Sequence, residues 1–169
     1  MNVHGQESST AQSLREGWLP LAAWILLCLA VGWIGASSTE SGQSAWFRAL
    51  EKPPWNPPTW LFAPVWTVLY VLMGIAAWLV SRHPPVPGKA QAQVLFMTQL
   101  ALNFAWTFIF FGAHRIGLAL LDIALLLGLI AATLIGFRRI DRRAGWLMVP
   151  YLCWVTFATA LNFSIWQSN

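Results

Sequence analysis

Five long apolar stretches, joined by short polar connections, constrain this chain more than any other feature of its sequence. They cover residues 17–36, 59–80, 91–112, 116–136 and 144–166. An α-helix needs roughly 20 apolar residues to cross the hydrocarbon core of a bilayer, and every stretch has that length. The charged residues all lie outside the five stretches, except Asp122. The sequence therefore predicts an all-α, polytopic membrane protein, built as a bundle of five transmembrane helices.

The composition excludes an ordinary soluble domain and gives no support for nucleic-acid binding. The chain is 57% hydrophobic and 9% charged, whereas soluble proteins are about 25% charged. Its net charge of +4 comes from basic residues in the connections, where they act as topology signals. Three of them, Arg48, Lys52 and Arg115, lie on the side opposite the N-terminus, and the other seven lie on its own side. This bias places the N-terminus in the cytoplasm, or in its organellar equivalent.

The connections differ in character along the chain. Residues 1–16 are polar and are expected to form a disordered tail. In the loop at 37–58, the sequence AWFRALEK has the spacing of a short amphipathic helix lying on the membrane surface. The sequence KPPWNPPTW follows, and its four prolines make a stiff extended connector. This loop is predicted to act as a lid over the helices.

Aromatic and polar groups of four helices are expected to lie at one depth beneath this lid. Counting at about 1.5 Å per residue from the end nearest the lid puts them roughly 10–18 Å deep. They combine flat π surfaces with a few polar groups, as a pocket for a flat apolar ligand would. Asp122 is the ionisable member, and such groups in membrane segments usually face the bundle interior. The layer contains Trp66, Tyr70, Asn103, Trp106, Asp122, Trp154 and Ala158.

Several classes of chemistry find no support in the residues. The apolar stretches contain no histidine, which argues against axial haem ligation. Cys28 and Cys153 have no nearby histidine, so they form no zinc pattern, and no metal site is predicted. There is no Ser/His/Asp or Cys/His set, no phosphate loop and no carboxylate pair. Acid–base and nucleophilic enzymes are therefore not indicated, and no required cofactor is expected.

Three blocks of the sequence are characteristic. KPPWNPPTW with LFAPVWTVLY, QLALNFAWTFIFFG and PYLCWVTFATALNF resemble the signature blocks of the TspO/translocator protein family, also called TspO/MBR. Its members are the tryptophan-rich sensory proteins of bacteria and the peripheral benzodiazepine receptor of mitochondria. The resemblance implies a five-helix bundle, commonly a homodimer. It also implies a cavity under the first loop that binds porphyrins, sterols and benzodiazepine-site drugs.

The resemblance also assigns roles to individual positions. Light-dependent porphyrin breakdown in some bacterial relatives involves the tryptophans that match Trp66 and Trp154. The sterol motif of the mitochondrial members needs a basic residue after a tyrosine of the fifth helix, and none follows Tyr151. The implied ligand-binding positions are Phe47, Trp66, Tyr70, Asn103, Trp106, Asp122, Trp154 and Ala158.

Three functions are consistent with these features. The first is a membrane receptor or sensor that binds porphyrin-type tetrapyrroles, or other flat hydrophobic small molecules, in the bilayer. The second is an enzyme that degrades bound porphyrin photochemically, with Trp66 and Trp154 as its only catalytic candidates. The third is a transporter of tetrapyrroles or sterols, although no internal repeat favours alternating access. The expected location is the bacterial cell membrane, or the mitochondrial outer membrane if the source is eukaryotic.

Overall fold

A computed structural model describes the backbone of residues 4–39 and 44–169, and the side chains from Trp18 onward within these ranges except Ser38. This part of the chain is helical, with five helical spans long and apolar enough to cross a membrane. The all-α, multi-pass architecture predicted from the sequence is confirmed. The helices are α1 (His4–Thr39), α2 (Ala45–Ala49), α3 (Thr59–Arg82), α4 (Lys89–Thr107), α5 (Ile116–Ile140), α6 (Arg142–Leu147) and α7 (Val149–Ser168).

The spans match the predicted segments closely in the middle and differ at several ends. Helix α5 continues to Ile140, beyond the predicted end at residue 136. Its last turn contains Arg138 and Arg139, and cations are favourable there because the C-terminal end of a helix dipole is negative. The long aliphatic stems of these arginines also allow their charged groups to reach water.

The first helix differs from the prediction at its N-terminal end. Helix α1 begins at His4 rather than at residue 17, so its backbone includes most of the segment predicted to be a disordered tail. Extending an existing helix adds one hydrogen bond for each residue that is fixed, without the cost of a new nucleus. A stable apolar helix can therefore continue into a polar segment that would not form a helix alone.

The fifth span is interrupted, which the prediction of one helix over 144–166 did not include. Helix α6 ends at Leu147, and α7 begins at Val149. Pro150 has no backbone N–H, so it cannot make the hydrogen bond that would continue α6 through this point. Pro150 instead lies in the first turn of α7, where the missing donor has no cost. The result is a short helix joined at Met148 to a long one.

The five spans pack in the order α3, α1, α4, α5, α7 around the bundle. Most neighbours in this order contact each other extensively, whereas α3 and α7 contact each other only sparsely. At one end of the bundle, α6 packs against both α3 and α5. That end, which carries Arg82 and Arg138, is called the arginine end below. The opposite end carries residues 44–58 and is called the lid end.

Two glycines allow α1 and α3 to approach closely. An added Cβ at Gly74 would lie 2.6 Å from the Cα of Ile25, and one at Gly32 would overlap the ring of Tyr70. Small residues at such crossings bring helix backbones together in membrane bundles. At Gly32, as at Gly74, the contact is with a helix of the same chain.

We expect Gly74→Ala to destabilise the protein, because its methyl group would meet backbone atoms of α1 that cannot move without separating the helices. Overpacking of this kind costs about 1–3 kcal/mol. Gly128→Ala is the matched control, since its Cβ would meet nothing within 4 Å. Thermal unfolding in a mild detergent measures both. Equal melting temperatures for the two variants would contradict the proposed close crossing.

Candidate ligand-binding site

A chain of hydrogen bonds joins three spans inside the bundle. The Tyr70 hydroxyl on α3 donates to Asn103 Oδ1 on α4 at 2.5 Å. Asn103 Nδ2 donates to the Tyr151 hydroxyl on α7 at 3.1 Å, and that hydroxyl donates to Gln99 Oε1 at 3.0 Å. All four residues are buried. The network therefore fixes the relative positions of α3, α4 and α7 at the centre of the bundle.

Three polar atoms near this network have no hydrogen-bond partner. They are Gln99 Nε2, Asp122 Oδ2 and Trp154 Nε1, all buried from solvent. Asp122 lies close enough to Tyr151 to interact with it electrostatically. Buried polar groups normally have a partner, and the absence of water from hydrocarbon makes an unsatisfied group more costly. These three atoms therefore have hydrogen-bonding capacity that the protein itself does not use.

The lid packs on a cluster of aromatic rings at the end of α4. Phe108–Gly112 form one π-helical turn after α4, and such turns are frequent at functional sites. Trp106 stacks on Phe110, with ring centroids 5.0 Å apart. Phe47 of α2 meets Phe110 at 6.3 Å and Phe111 at 5.3 Å. The predicted lid position Phe47 is therefore buried in this aromatic cluster.

Further contacts hold the lid along its length. Trp46 stacks on His114 with ring centroids 4.1 Å apart. The backbone N–H of Glu51 donates to Asn169 Oδ1, and Asn169 Nδ2 donates back to the Glu51 carbonyl, each at 3.1 Å. Trp55 lies edge-on to Phe157 of α7 at 5.7 Å. The described part of the loop thus rests on the ends of both α4 and α7.

A groove of about 660 Å³ lies between α3 and α7, where the two helices contact each other only sparsely. Its surface is almost entirely apolar, and the groove is open rather than enclosed. Trp154 forms part of its wall and packs against Phe62 at 5.7 Å and Phe157 at 5.6 Å. The groove is lined by Trp60, Leu61, Pro64, Val65, Val68, Leu69, Pro150, Cys153, Trp154 and Phe157.

The predicted layer is divided among three places. Tyr70 and Asn103 belong to the hydrogen-bond network, with the Trp66 ring 5.6 Å from that of Tyr70. Trp106 lies beneath the lid, where its Nε1 donates to Asn162 Oδ1 at 3.1 Å. Trp154 lines the groove. Asp122 is buried near Tyr151, and Ala158 is half-buried against the main core.

Several residues of these three places were not predicted from the sequence. Gln99 and Asn103 are four residues apart on α4, so they share one face of the helix, and this pair of amides in an apolar run was the available signal. Phe62 and Phe157 carry no comparable signal in the sequence, because an aromatic residue in a membrane helix usually serves in packing. Among the described residues, no three His, Cys, Asp or Glu side chains gather where they could hold a metal ion.

Comparison with known proteins connects this geometry to a family. A model of the TspO/MBR family matches residues 24–167, a range that covers most or all of each of the five spans. The chain belongs to this family. It is 45% identical to the tryptophan-rich protein TspO of Chlorobaculum tepidum over 152 residues, covering 89% of this chain and 96% of that one. The resemblance carried by the three sequence blocks is thus confirmed.

Relatives with other names share the same span of sequence. The translocator protein of Bos taurus is 38% identical, with 90% of this chain and 91% of the relative covered. The tryptophan-rich protein TspO of Archaeoglobus fulgidus is 38% identical, with coverage of 89% and 97%. Members of the TspO/MBR family thus include proteins of bacteria, archaea and mammals. This chain is a multi-pass integral membrane protein of that family.

We expect Tyr151→Phe to destabilise the bundle, because it removes the hydroxyl that links Asn103 to Gln99. Hydrogen bonds between membrane helices contribute on average about 0.6 kcal/mol, with a maximum of about 1.7. Unfolding in a denaturing detergent would measure the loss. A double-mutant cycle that combines Tyr151→Phe with Tyr70→Phe tests the network itself. Two independent hydroxyls would give additive losses of unfolding free energy. Additivity would contradict a shared network through Asn103.

Proposed function

We propose that this TspO/MBR family protein is a membrane receptor or sensor that binds flat, apolar tetrapyrroles of the porphyrin type. The proposed site is the groove between α3 and α7, beneath the lid. The observation that carries this proposal is the position of Trp154, whose indole forms part of the wall of an almost entirely apolar groove, while its buried N–H has no partner.

The size and surface of the groove suit such a ligand. Pockets for small molecules have volumes of about 300–1,000 Å³ and are mainly apolar with few polar groups, and this open groove has a volume of about 660 Å³. Trp60, Trp154 and Phe157 provide aromatic faces along it. Aromatic rings favour offset stacking and edge-to-face contacts, and a macrocycle offers a large face and a long edge for both.

The lid end supplies charges that complement a porphyrin's carboxylates. Trp55 joins the lid to Phe157, which lines the groove, and Lys52 precedes Trp55 by three residues. The Lys52 ammonium donates to the Leu50 carbonyl at 3.0 Å and lies 4.6 Å from the centre of the Phe47 ring. Burial lowers the pKa of Lys52 below its ordinary value. Arg48 is exposed on α2 and is a second candidate for binding carboxylates.

Trp66 and Asp122 do not line the groove, and they are proposed to support it from the interior of the bundle. Trp66 lies 6.2 Å from the Tyr151 ring, edge to face, and Tyr151 is tied to Asn103. This packing holds α3 and α7 in place at the inner side of the groove. Asp122 has a free oxygen near Tyr151. It is the interior group most suited to accept a hydrogen bond from a ligand that reaches this depth.

We expect Trp154→Ala to weaken porphyrin binding about tenfold, because it removes an aromatic wall of the groove. An aromatic contact contributes about 0.5–1.5 kcal/mol beyond its buried area, and about 1.4 kcal/mol corresponds to a factor of ten in Kd. Quenching of protein fluorescence by protoporphyrin in darkness measures the affinity. Trp146→Ala is the matched control, since Trp146 is exposed at the arginine end. Unchanged affinity in folded Trp154→Ala would remove the groove as the site.

The same titration under illumination separates a receptor from a photochemical enzyme. Trp154 would contact a ligand in the groove, whereas Trp66 does not line it. Trp154→Phe keeps an aromatic face but loses the indole. If the protein acts photochemically through Trp154, illumination of the wild-type complex gives a discrete product that Trp154→Phe abolishes, with little change in dark affinity. Equal bleaching by both proteins would favour the receptor.

We further propose that the protein forms a homodimer through α4. Ala101 is exposed and Ala105 is half-buried in the single chain, and they are four residues apart on one face of the helix. Small residues at this spacing allow close helix contact in membranes.

We expect Ala105→Leu to shift the population toward monomer, because the larger side chain separates the two copies of α4. Crosslinking in a mild detergent reports the fraction of dimer. Gly128→Ala, on α5, is the control and should leave this fraction unchanged. A dimer fraction unaltered by Ala105→Leu would place the interface on another surface.

A further inference from the structure

The arginine end carries five exposed guanidinium groups that no described carboxylate neutralises. Arg82 ends α3, while the other four surround the junction of α5 and α6. In the part of the chain whose side chains are described, the one ion pair is between His83 and Asp141. The cluster consists of Arg82, Arg138, Arg139, Arg142 and Arg143.

Asp141 lies in the sequence between these arginines, but its carboxylate pairs with His83 and with the backbone and not with an arginine side chain. Its Oδ2 lies 3.2 Å from His83 Nε2, and its Oδ1 accepts from the Arg143 backbone N–H at 2.7 Å. Burial by itself would raise the pKa of Asp141. The hydrogen bonds from His83 and from the backbone N–H groups of Arg143 and Ala144 outweigh this effect, so the pKa lies below its ordinary value. Asp141 thus serves as the cap of α6 and as a link to the α3–α4 connection.

Lys89 is also used inside the protein. Its ammonium donates to the Ser81 carbonyl at 2.9 Å and to the His83 carbonyl. It therefore fixes the end of α3 to the start of α4. The lysine and the aspartate at this end hold the backbone together, whereas the arginine cluster has no such internal role.

Two of the arginines are paired with tryptophans. The Arg82 guanidinium lies 4.6 Å from the centre of the Trp78 ring, and that of Arg138 lies 5.7 Å from the centre of the Trp146 ring. A guanidinium stacked on an indole is held by one face, so the N–H groups along its edge stay available for phosphate oxygens. Trp146 is 59% exposed, and tryptophans of this kind lie at the level of lipid headgroups.

Helix α6 brings the two pairs to one end of the bundle. It packs against both α3 and α5, which carry Trp78, Arg82 and Arg138. An added Cβ at Gly145 would lie 2.6 Å from the Cβ of Arg138. This close approach allows Trp146, the next residue, to meet the Arg138 side chain.

We propose that the arginine end is a binding surface for anionic phospholipids, with the Arg82–Trp78 and Arg138–Trp146 pairs binding their phosphodiester headgroups. The occupant is a lipid rather than a soluble anion, because each indole provides an apolar contact for the glycerol and upper acyl region beside the phosphate. Phosphatidylglycerol has the required chemistry, with one net negative charge. Phosphatidylcholine presents the same phosphate next to a cation that the cluster repels. This surface is independent of the proposed tetrapyrrole site.

The test uses the full chain reconstituted in phosphatidylcholine vesicles that contain a minor fraction of brominated lipid. Bromine quenches tryptophan at short range, so comparing brominated phosphatidylglycerol with brominated phosphatidylcholine gives the preference for the anionic headgroup. We expect a preference of about threefold or more, because basic clusters at the membrane surface attract anionic lipids. The preference should decrease at high salt. Equal quenching by the two lipids would overturn the proposal.

Variants test which arginines produce the preference for the anionic lipid, and whether that preference depends only on the total charge of the protein. Arg82→Gln with Arg138→Gln should remove most of the preference. Arg48→Gln with Arg115→Gln removes the same charge at the lid end and should leave the preference unchanged. Equal loss in both double variants would show that only net charge matters, and would overturn the site.

Two further arms test the geometry and the identity of the occupant. Arg82→Lys with Arg138→Lys keeps the charge, loses the planar group and preserves the aliphatic packing, so it should lose part of the preference while remaining folded. Full retention would overturn the role of the arginine–tryptophan pairs. Soluble glycerophosphate should compete weakly. Efficient competition by it would identify a general anion site and overturn the lipid assignment.

Discussion

The hydrogen-bond network through Asn103 is the interaction on which the interior of this bundle depends. Inside hydrocarbon no water is available, so each polar group needs a partner within the protein. Asn103 meets this need by accepting from Tyr70 and donating to Tyr151. Because the three residues come from α3, α4 and α7, one side chain sets the distances among three spans. The glycine crossings of α1 against α3 add the fourth span to this arrangement.

The network also explains where the bundle is open. It joins α3 to α7 through α4, so these two helices do not need extensive direct contact. At the arginine end, α6 connects α3 to α5. The space between α3 and α7 extends from Pro64, near the lid end, to Pro150 in the first turn of α7, along an aromatic wall that includes Trp154. The groove therefore lies beside the rigid core rather than within it.

The sequence predicted the architecture well, because the length of a membrane span is set by the bilayer. It also predicted how far along their helices Trp66, Trp106 and Trp154 lie, since each helical residue rises by a fixed distance. It did not give the rotation of each helix about its own axis, which depends on packing. For this reason one predicted layer became a network, an aromatic cluster under the lid and a groove. The break at Met148 could have been read from Pro150, but the apolar run around it favoured one continuous helix.

The groove is open and lies between two membrane-spanning helices, which has a consequence for how any apolar molecule would reach it. Such a molecule partitions into the bilayer first and then approaches Trp154 from the lipid. The concentration that governs occupancy is therefore the amount per volume of lipid, not the amount per volume of buffer. Diluting a membrane sample with buffer would hardly empty the groove, whereas adding protein-free vesicles would. The bilayer would thus be both the solvent and the reservoir of any molecule that binds in this groove.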